Sequence, residues 1–353
     1  MITLLLILVT MAVSVILTPI VIKISKKLDI MDKPNYRKVH TKPVSVLGGT
    51  VILFAFILGI WIGHPIEREI IPLILGTMIM YFVGLIDDVH DLKPLYKLAG
   101  QILAALVVVY HGVTIDFIQL PFVPGTIQFG ILSIPITVFW IIAITNAINL
   151  IDGLDGLAAG VSTIAFMTIG FIAILQADIF IMMICSVMIG SLLGCLFYNS
   201  HPAKIFLGDS GSLQLGFIIS FVSLLGFKNI TFFSLLFPMV ILAVPFIDTL
   251  FAMIRRAKKG QRIMQPDKSH LHHKLLKLGY THRQTVFLIY SIAIMFSISS
   301  VILYLSQPWG VVMMLILILV TIELIVEFTG LIDDNYRPLL SMLEKRGSRH
   351  DKE

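Results

Sequence analysis

Residues 70–91 read IIPLILGTMIMYFVGLIDDVHD, an apolar run that ends in a cluster of carboxylates. The carboxylates belong to Asp87, Asp88 and Asp91. Membrane hydrocarbon does not tolerate such a cluster, so we expect it where a spanning helix meets water. Because neighbouring carboxylates repel one another, a cation, a proton or a basic group should lie close by. The stretch therefore predicts a membrane helix with a site for metal or phosphate chemistry at its end.

The composition of the whole chain is that of a membrane protein. Of the 353 residues, 57% are hydrophobic and only 13% are charged, and the mean hydropathy is +0.96. A soluble globular protein carries about 25% charged residues. The first apolar run has no basic segment before it and no small-residue cleavage site, which predicts an uncleaved span. The net charge of +5 follows membrane sidedness, so we expect no nucleic-acid partner.

The chain contains eleven apolar runs that are long enough, or nearly long enough, to span a bilayer. A spanning helix needs about 20 apolar residues. The runs are residues 2–22, 47–63, 70–86, 98–113, 130–148, 156–175, 179–197, 212–226, 232–254, 285–305 and 311–329. We therefore predict an all-α polytopic membrane protein with about eleven transmembrane helices.

The distribution of basic residues predicts its orientation. With the N-terminus outside, the cytoplasmic segments hold 24 of the 26 Lys and Arg residues, and only Arg68 and Lys228 lie outside. The positive-inside rule expects such a split. The predicted organisation is one transmembrane domain, residues 1–329, followed by a cytoplasmic tail, residues 330–353. The predicted cytoplasmic loops are residues 23–46, 87–97, 149–155, 198–211 and 255–284.

The unusual polar clusters all fall on the predicted cytoplasmic face. A basic loop carries His40 and Lys42 ahead of a glycine pair, although much of its charge serves topology. The aspartate cluster at residues 87–91 is followed by Lys97. Several such clusters on one face favour an enzyme or a gated site, where one cluster alone would not.

A third cluster combines amide and carboxylate side chains at helical spacing. Asn146, Asn149 and Asp152 are three residues apart and would lie near one face of a helix. Asp155 follows within the sequence Asp-Gly-x-Asp-Gly. Oxygen ligands of these kinds suit a hard cation such as Mg²⁺. An ordinary polar helix end with turn glycines is the alternative interpretation.

A fourth cluster, Phe206-Leu207-Gly208-Asp209-Ser210-Gly211, precedes an apolar run and predicts a helix N-terminus. Free backbone N–H groups at such a terminus attract phosphate, and Asp209 could hold a metal beside it. Ordinary capping of the helix by Asp or Ser is the alternative, and both roles are compatible.

A fifth cluster lies in a long basic loop that contains His270, His272 and His273. The spacing lacks the partners that are typical of a zinc site. We interpret the histidines, with Arg262 and Lys268, as contacts to a diphosphate. A loop that faces lipid headgroups is the alternative.

Together these clusters suit phosphoryl transfer, which needs neutralised phosphate charge and a positioned nucleophile. The motifs DDxxD, NAxNxxDGxDGL, FxGDxG and HxHH, in this order, resemble those of the polyprenyl-phosphate N-acetylhexosamine-1-phosphate transferases. The sequence PDKSHLHH at residues 266–273 resembles the GlcNAc-1-phosphate branch of that family, whereas the MurNAc-pentapeptide branch carries a different histidine run.

The resemblance implies a reaction of UDP-GlcNAc with undecaprenyl phosphate in a bacterial plasma membrane. The products would be GlcNAc-diphospho-undecaprenol and UMP, and the pathway would be wall teichoic acid synthesis. Mg²⁺ would be the cofactor, with Mn²⁺ as a substitute. The sequence leaves oligomeric state open, including a homodimer.

The resemblance also implies roles for individual residues. Asp209 and Asn149 match positions that hold Mg²⁺. Asp87 and Asp88 match an essential pair, one of which would assist deprotonation of the lipid phosphate, and with Asp209 they form the expected catalytic set. The residues expected to bind substrates are His40, Lys42, Lys97, Asn146, Asp152, Asp155, Phe206, His270, His272 and His273. Asp155 and Phe206 among them match positions near the uracil.

Other functions remain compatible with parts of the pattern. A phospho-MurNAc-pentapeptide transferase would differ only in its sugar pocket. A cation-coupled transporter predicts acidic residues near mid-membrane and inverted repeats. A lipid-binding scaffold would explain the basic loops but not the aspartates. For the transfer itself, direct attack by the lipid phosphate and a two-step route through a phosphoaspartate both remain open.

Overall fold

Most of the residues that the structure describes are helical. The computed structural model describes residues 2–32, 43–118, 125–226, 233–258, 260, 270–331, 336, 338, 339 and 341. The helices are α1 Ile2–Lys27, α2 Gly48–Gly63, α3 Ile70–His90, α4 Pro94–Tyr110, α5 Ser133–Ile151, α6 Leu157–Gln176, α7 Ile179–Asn199, α8 Gly208–Gly226, α9 Phe233–Ile241, α10 Ala243–Lys258, α11 Leu271–Lys277, α12 His282–Leu305 and α13 Pro308–Thr329.

Short strands and one 3₁₀ turn occur between the helices. β1 (Met31–Asp32) pairs antiparallel with β2 (Val44–Ser45) just before α2. β3 (Phe117–Ile118) pairs antiparallel with β4 (Ile127–Gln128) between α4 and the 3₁₀ turn Gly130–Leu132. The second strand pair lies within residues 114–129, and the strands do not alter the all-α class.

The predicted membrane architecture is confirmed at the level of fold class. Eight of the described helices are long and apolar enough to cross a membrane, and α2 and α4 are shorter apolar helices. Each predicted run coincides with helical residues, but the run 232–254 is divided into α9 and α10. The division follows from Pro245, which cannot donate to the carbonyl of Ile241 and whose ring crowds that carbonyl. The count of eleven spans and the outside N-terminus remain predictions.

Two helices extend beyond the apolar runs that predict them. α3 continues through Asp87 and Asp88 to His90, and it ends where Asp91 adopts a left-handed φ of 48°. α8 begins at Gly208, before its apolar run. Hydrophobicity marks only the part of a helix that faces hydrocarbon or core, whereas the hydrogen-bonded backbone continues into a polar site. The candidate site is therefore built from helix ends rather than from loops alone.

The core is organised around α8. Every residue from Ser210 to Leu224 is buried, and α8 packs against α2, α3, α5 and α6. α1 packs along α7. It exposes large apolar side chains such as Leu4, Leu8 and Ile16. Large exposed apolar surface in a chain of this composition is the surface that faces lipid. The polar N-terminus of α8 is thus fixed at the centre of a ring of helices.

The contact between α3 and α8 is closest at Gly84. A Cβ atom at this position would come within 3.0 Å of backbone atoms of Asp209 and Ser210, which form the first turn of α8. Backbone atoms cannot move aside as a flexible side chain can. Glycine is therefore required where α3 crosses the N-terminus of α8.

We expect Gly84→Ala to destabilise the fold and to displace Asp209. Overpacking of this kind costs about 1–3 kcal/mol, so the midpoint of thermal unfolding in detergent should fall measurably. Gly310→Ala is the matched control, because Gly310 is an exposed helical glycine whose Cβ would meet only the side chain of Ser306, just before α13, at 3.2 Å. Equal midpoints for both variants would contradict the close approach of α3 and α8.

Candidate active site

A cavity of about 730 Å³ opens where α3 and α5 end and α8 begins. The segment 152–155, which follows α5, and residues 199–206, which lead towards α8, complete its wall. The predicted site residues that line it are Asp87, Asp88, Asn149, Asp152, Asp155, Phe206, Asp209 and His273. Four separate motifs of the sequence therefore meet in one space.

Asp88 closes the N-terminus of α8. Its Oδ1 accepts a hydrogen bond from the backbone N of Asp209 at 2.7 Å, and its Oδ2 accepts one from the backbone N of Ser210 at 3.0 Å. The first N–H groups of a helix have no partner within the helix, and the positive end of its dipole attracts a carboxylate. A side chain of α3 therefore already binds two of the N–H groups at the predicted phosphate site, and phosphate binding at this helix end stays a prediction.

Lys97 does not line the cavity itself but joins two aspartates that do. Its Nζ lies 2.6 Å from Oδ2 of Asp87 and 2.8 Å from Oδ2 of Asp209. Oδ1 of Asp87 accepts a hydrogen bond from the backbone N of Leu92 at 2.8 Å. One ammonium group thus offsets the repulsion between two carboxylates from α3 and α8. The basic group that the sequence requires near the aspartates is supplied by the first turn of α4.

Asn149 reaches the same aspartate from α5. Its Nδ2 donates to Oδ1 of Asp209 and, at 2.8 Å, to Oγ of Ser212. These contacts direct the amide towards the carboxylate and leave its carbonyl oxygen as an acceptor on the same side chain. Asn149 and Asp209 thus form a contiguous pair of oxygen-bearing groups.

Asp152 faces this pair from the end of α5 and is the least compensated acid of the site. Burial, reinforced by the negative charges of neighbouring aspartates, raises the pKa of its carboxyl to about 8. Among the described residues, none donates a hydrogen bond to it. A divalent cation between Asp152 and Asp209 would restore the ionised form. The donor set, carboxylates with one amide oxygen, fits Mg²⁺ in kind.

The three histidines of the basic loop occupy different positions. His270 lies against Asp248, whose Oδ2 is 3.0 Å from its Nδ1 and whose Oδ1 accepts from the backbone N of Leu271 at 2.7 Å. Asp248 is 1% exposed, so this buried acid of α10 anchors the start of α11. Of the three histidines, His273 lines the cavity.

His272 is packed beneath the Asp-Gly-x-Asp-Gly segment. It is 3% exposed, and a Cβ atom on Gly153 would lie 2.5 Å from its Nε2. Burial, with the nearby His273 as a further cause, lowers the pKa of His272 to about 3. A neutral, buried imidazole offers no positive charge to a diphosphate. The structure instead gives His272 a packing contact between α11 and the segment that carries Asp152.

Several predicted residues do not line the cavity. Asn146 forms a reciprocal amide pair with Gln101 of α4, with N···O distances of 3.1 and 2.9 Å, and its Nδ2 also donates to the carbonyl of Ile142. Asn146 therefore joins α4 to α5. The predicted contacts His40, Lys42, Arg262 and Lys268 lie outside the described residues.

The cavity also contains residues that the sequence analysis did not single out. His201 and His282 line it beside Asp155, and Asp32 lies at another part of the wall. His201 lies five residues before Phe206 in the same loop. Its closeness to that motif could have marked it as a candidate site residue. His282 begins α12 and has no motif around it, so only the tertiary structure brings it to the site.

The chain is similar to known membrane transferases. The family model described as glycosyl transferase family 4 matches residues 70–227. A Bacillus subtilis (strain 168) protein named "Probable undecaprenyl-phosphate N-acetylglucosaminyl 1-phosphate transferase" is 41% identical over 337 residues, which cover 95% of this chain and 94% of that protein.

More distant relatives extend the similarity to other bacteria. A decaprenyl-phosphate N-acetylglucosaminephosphotransferase of Mycobacterium leprae (strain TN) is 34% identical over 76% of this chain and 75% of its own length. The undecaprenyl-phosphate alpha-N-acetylglucosaminyl 1-phosphate transferase of Escherichia coli (strain K12) is 29% identical over 76% of this chain and 74% of its own length.

The buried His272 predicts a loss of stability in acid. Its pKa is about 3 in the folded chain and 6.5 as a free side chain, so the unfolded state binds the additional proton between these values. Stability should therefore fall as the pH drops below about 6.5, by about 2 kcal/mol between about pH 7 and about pH 5. Unfolding in mixed micelles at several pH values measures this dependence.

The control variants separate this histidine from the rest of the chain. In His272→Gln, the fall in stability between about pH 7 and about pH 5 should be smaller by the amount that His272 contributes. His111→Gln, which removes an exposed histidine, should show the same fall as the wild type. An unchanged slope in His272→Gln would show that its protonation does not limit stability in acid.

Proposed function

Because the chain belongs to glycosyl transferase family 4, we propose that it transfers GlcNAc 1-phosphate from UDP-GlcNAc to undecaprenyl phosphate. The products are GlcNAc-diphospho-undecaprenol and UMP. The observation that carries this proposal is the convergence of aspartates with Lys97 at the ends of apolar helices. Such a cavity lets a water-soluble diphosphate and a lipid phosphate meet at the surface of the membrane.

Mg²⁺ is the proposed cofactor, and Asp209, Asn149 and Asp152 are the residues that would hold it. When bound, the ion supplies charge neutralisation for the diphosphate and for the leaving UMP. Lys97 adds a positive charge of the protein beside these groups. A diphosphate that enters a cavity of this acidity requires both, since the aspartates alone would repel it.

The two aspartates of α3 receive different roles in this proposal. Both oxygens of Asp88 accept hydrogen bonds from the backbone of α8, so this residue positions Asp209 and does not act on the substrate. Asp87 contacts Lys97, a flexible side chain that can turn towards a phosphate. Asp87 is therefore the proposed base for the lipid phosphate, and direct attack on the β-phosphorus is the proposed route.

The GlcNAc donor and the pathway are supported by similarity. Relatives from three bacterial genera carry N-acetylglucosamine in their names, with undecaprenyl or decaprenyl phosphate as acceptor. We assign the reaction to the plasma membrane, as the first membrane step of a cell-wall polymer. Wall teichoic acid is the polymer that the sequence resemblance favours.

The proposal predicts UMP release that depends on both substrates and on Mg²⁺. Purified protein in detergent receives undecaprenyl phosphate with UDP-GlcNAc or, separately, UDP-MurNAc-pentapeptide. We expect UMP with UDP-GlcNAc only, and none after removal of divalent ions by a chelator. Release with the pentapeptide donor alone would move the protein to peptidoglycan synthesis. Folded protein that releases UMP with neither donor would refute the transfer reaction.

Substitution of each aspartate of α3 should separate their roles. Asp87→Asn should lower turnover by about 10²- to 10⁴-fold, the range of a lost acid–base group, with little change in donor binding. Asp88→Asn places an amide against the two N–H groups of α8. One of these N–H groups loses its acceptor, so stability should fall by about 1–3 kcal/mol, and Mg²⁺ and donor binding should weaken together with turnover.

The chain offers a matched control for the loss of a cap. Asp178 caps α7 by accepting from the backbone N of Ile181 at 3.0 Å. α7 has 21 residues, so this cap lies about 30 Å along the helix from its cavity end. Asp178→Ala, which removes this acceptor, should cost about 1 kcal/mol of stability without any loss of donor binding. If Asp88→Asn lowered turnover but left stability, Mg²⁺ binding and donor binding unchanged, the positioning role of Asp88 would be wrong.

A further inference from the structure

A second group of metal-ligating side chains lies on the cavity wall, apart from the centre formed by Lys97 and its aspartates. Nδ1 of His201 is 2.7 Å from Oδ2 of Asp155, and Nε2 of His282 is 3.9 Å from the same oxygen. One ligand atom from each residue falls within 4.8 Å of the others. The three residues come from different segments, so the tertiary fold and not a local motif brings them together.

His282 is the member of the group with unused binding capacity. Its side chain is 12% exposed, and neither ring nitrogen has a hydrogen-bond partner of normal geometry among the described residues. Buried polar nitrogen without a partner is costly, so such a site calls for a ligand.

The two rings are stacked beside one carboxylate. The rings of His201 and His282 lie with centroids 4.1 Å apart and planes inclined by 23°, both beside the carboxylate of Asp155. Oδ2 of Asp155 also accepts from the backbone N of Ala203 at 3.2 Å, which holds the carboxylate in place. Two imidazoles and one carboxylate form a donor set typical of zinc and similar transition metals, with a position left for water or substrate.

We propose that Asp155, His201 and His282 form a binding site for a divalent transition-metal ion, Zn²⁺ in the first instance. This site differs in chemistry from the oxygen-only set of Asn149, Asp152 and Asp209. Binding replaces the contact between His201 and Asp155 and releases any proton shared there. Because Asp155 lines the cavity, the bound ion narrows the space that a substrate must enter.

The direct test is a calorimetric titration of the full-length protein, without a histidine tag, with Zn²⁺ in detergent. Excess Mg²⁺ in the buffer keeps the oxygen-rich centre occupied. We expect His201→Gln and His282→Gln each to weaken Zn²⁺ binding by at least about tenfold, since even the loss of an outer-shell partner of a metal ligand costs about 10- to 100-fold. His111→Gln, the exposed-histidine control, should bind as the wild type does.

The outcomes decide the proposal in either direction. Unchanged affinity in the His201 or the His282 variant would overturn it, as would Zn²⁺ binding that disappears equally in the control. If His282→Gln fails to fold, the His201 variant carries the test, because that side chain is 37% exposed. Co²⁺ added to the wild type should give a visible absorption band of imidazole coordination, and its absence would also refute the site.

An activity measurement tests the consequence for the cavity and rests on the proposed function. Zn²⁺ should raise the apparent KM for UDP-GlcNAc in the wild type and in His111→Gln, and should do so less in His201→Gln. An unchanged KM at saturating Zn²⁺ would disprove the competition. If no UMP is released under any condition, the proposed function fails, while the titration still decides whether the metal site exists.

Discussion

The hydrogen bonds from the backbone of α8 to the carboxylate of Asp88 are the constraint on which the site depends. A helix N-terminus enclosed by neighbouring helices has N–H groups without partners in its own helix. Asp88 satisfies two of them from α3, and Gly84 lets the two helices approach closely enough for that contact. The position of Asp209, and with it the contacts of Lys97 and Asn149, follows from this crossing.

The cavity balances negative charge through a small number of defined contacts. Lys97 neutralises part of the repulsion between Asp87 and Asp209, whereas Asp152 has no such partner among the described residues and has a raised pKa. The uncompensated charge near Asp152 favours a bound cation there. The other end of the site carries the flexible ammonium group of Lys97. Metal-assisted chemistry on a phosphorylated substrate is the use that best suits such a distribution.

The sequence predicted the elements of this site better than it predicted their contacts. Apolar runs located the helices, and the DDxxD and FxGDxG motifs marked residues that do meet in the cavity, because both follow from local composition. The pairing of His270 with Asp248, and the approach of His282 to Asp155, join residues far apart in the chain. No periodicity encodes such contacts. Asn146 shared the helical spacing of Asn149 but binds Gln101, since spacing does not reveal what faces a helix.

The burial of α8 has a consequence for how the chain enters the membrane during synthesis. Among the eight candidate spans α8 is the least apolar and the most buried, and it carries Asp209 and Gln214. Lipid stabilises such a segment only weakly, whereas contacts with neighbouring helices stabilise it strongly. α3 and α5 are synthesised earlier and supply its polar partners. The insertion machinery therefore meets α8 after the helices that stabilise it, so chain order and assembly order agree.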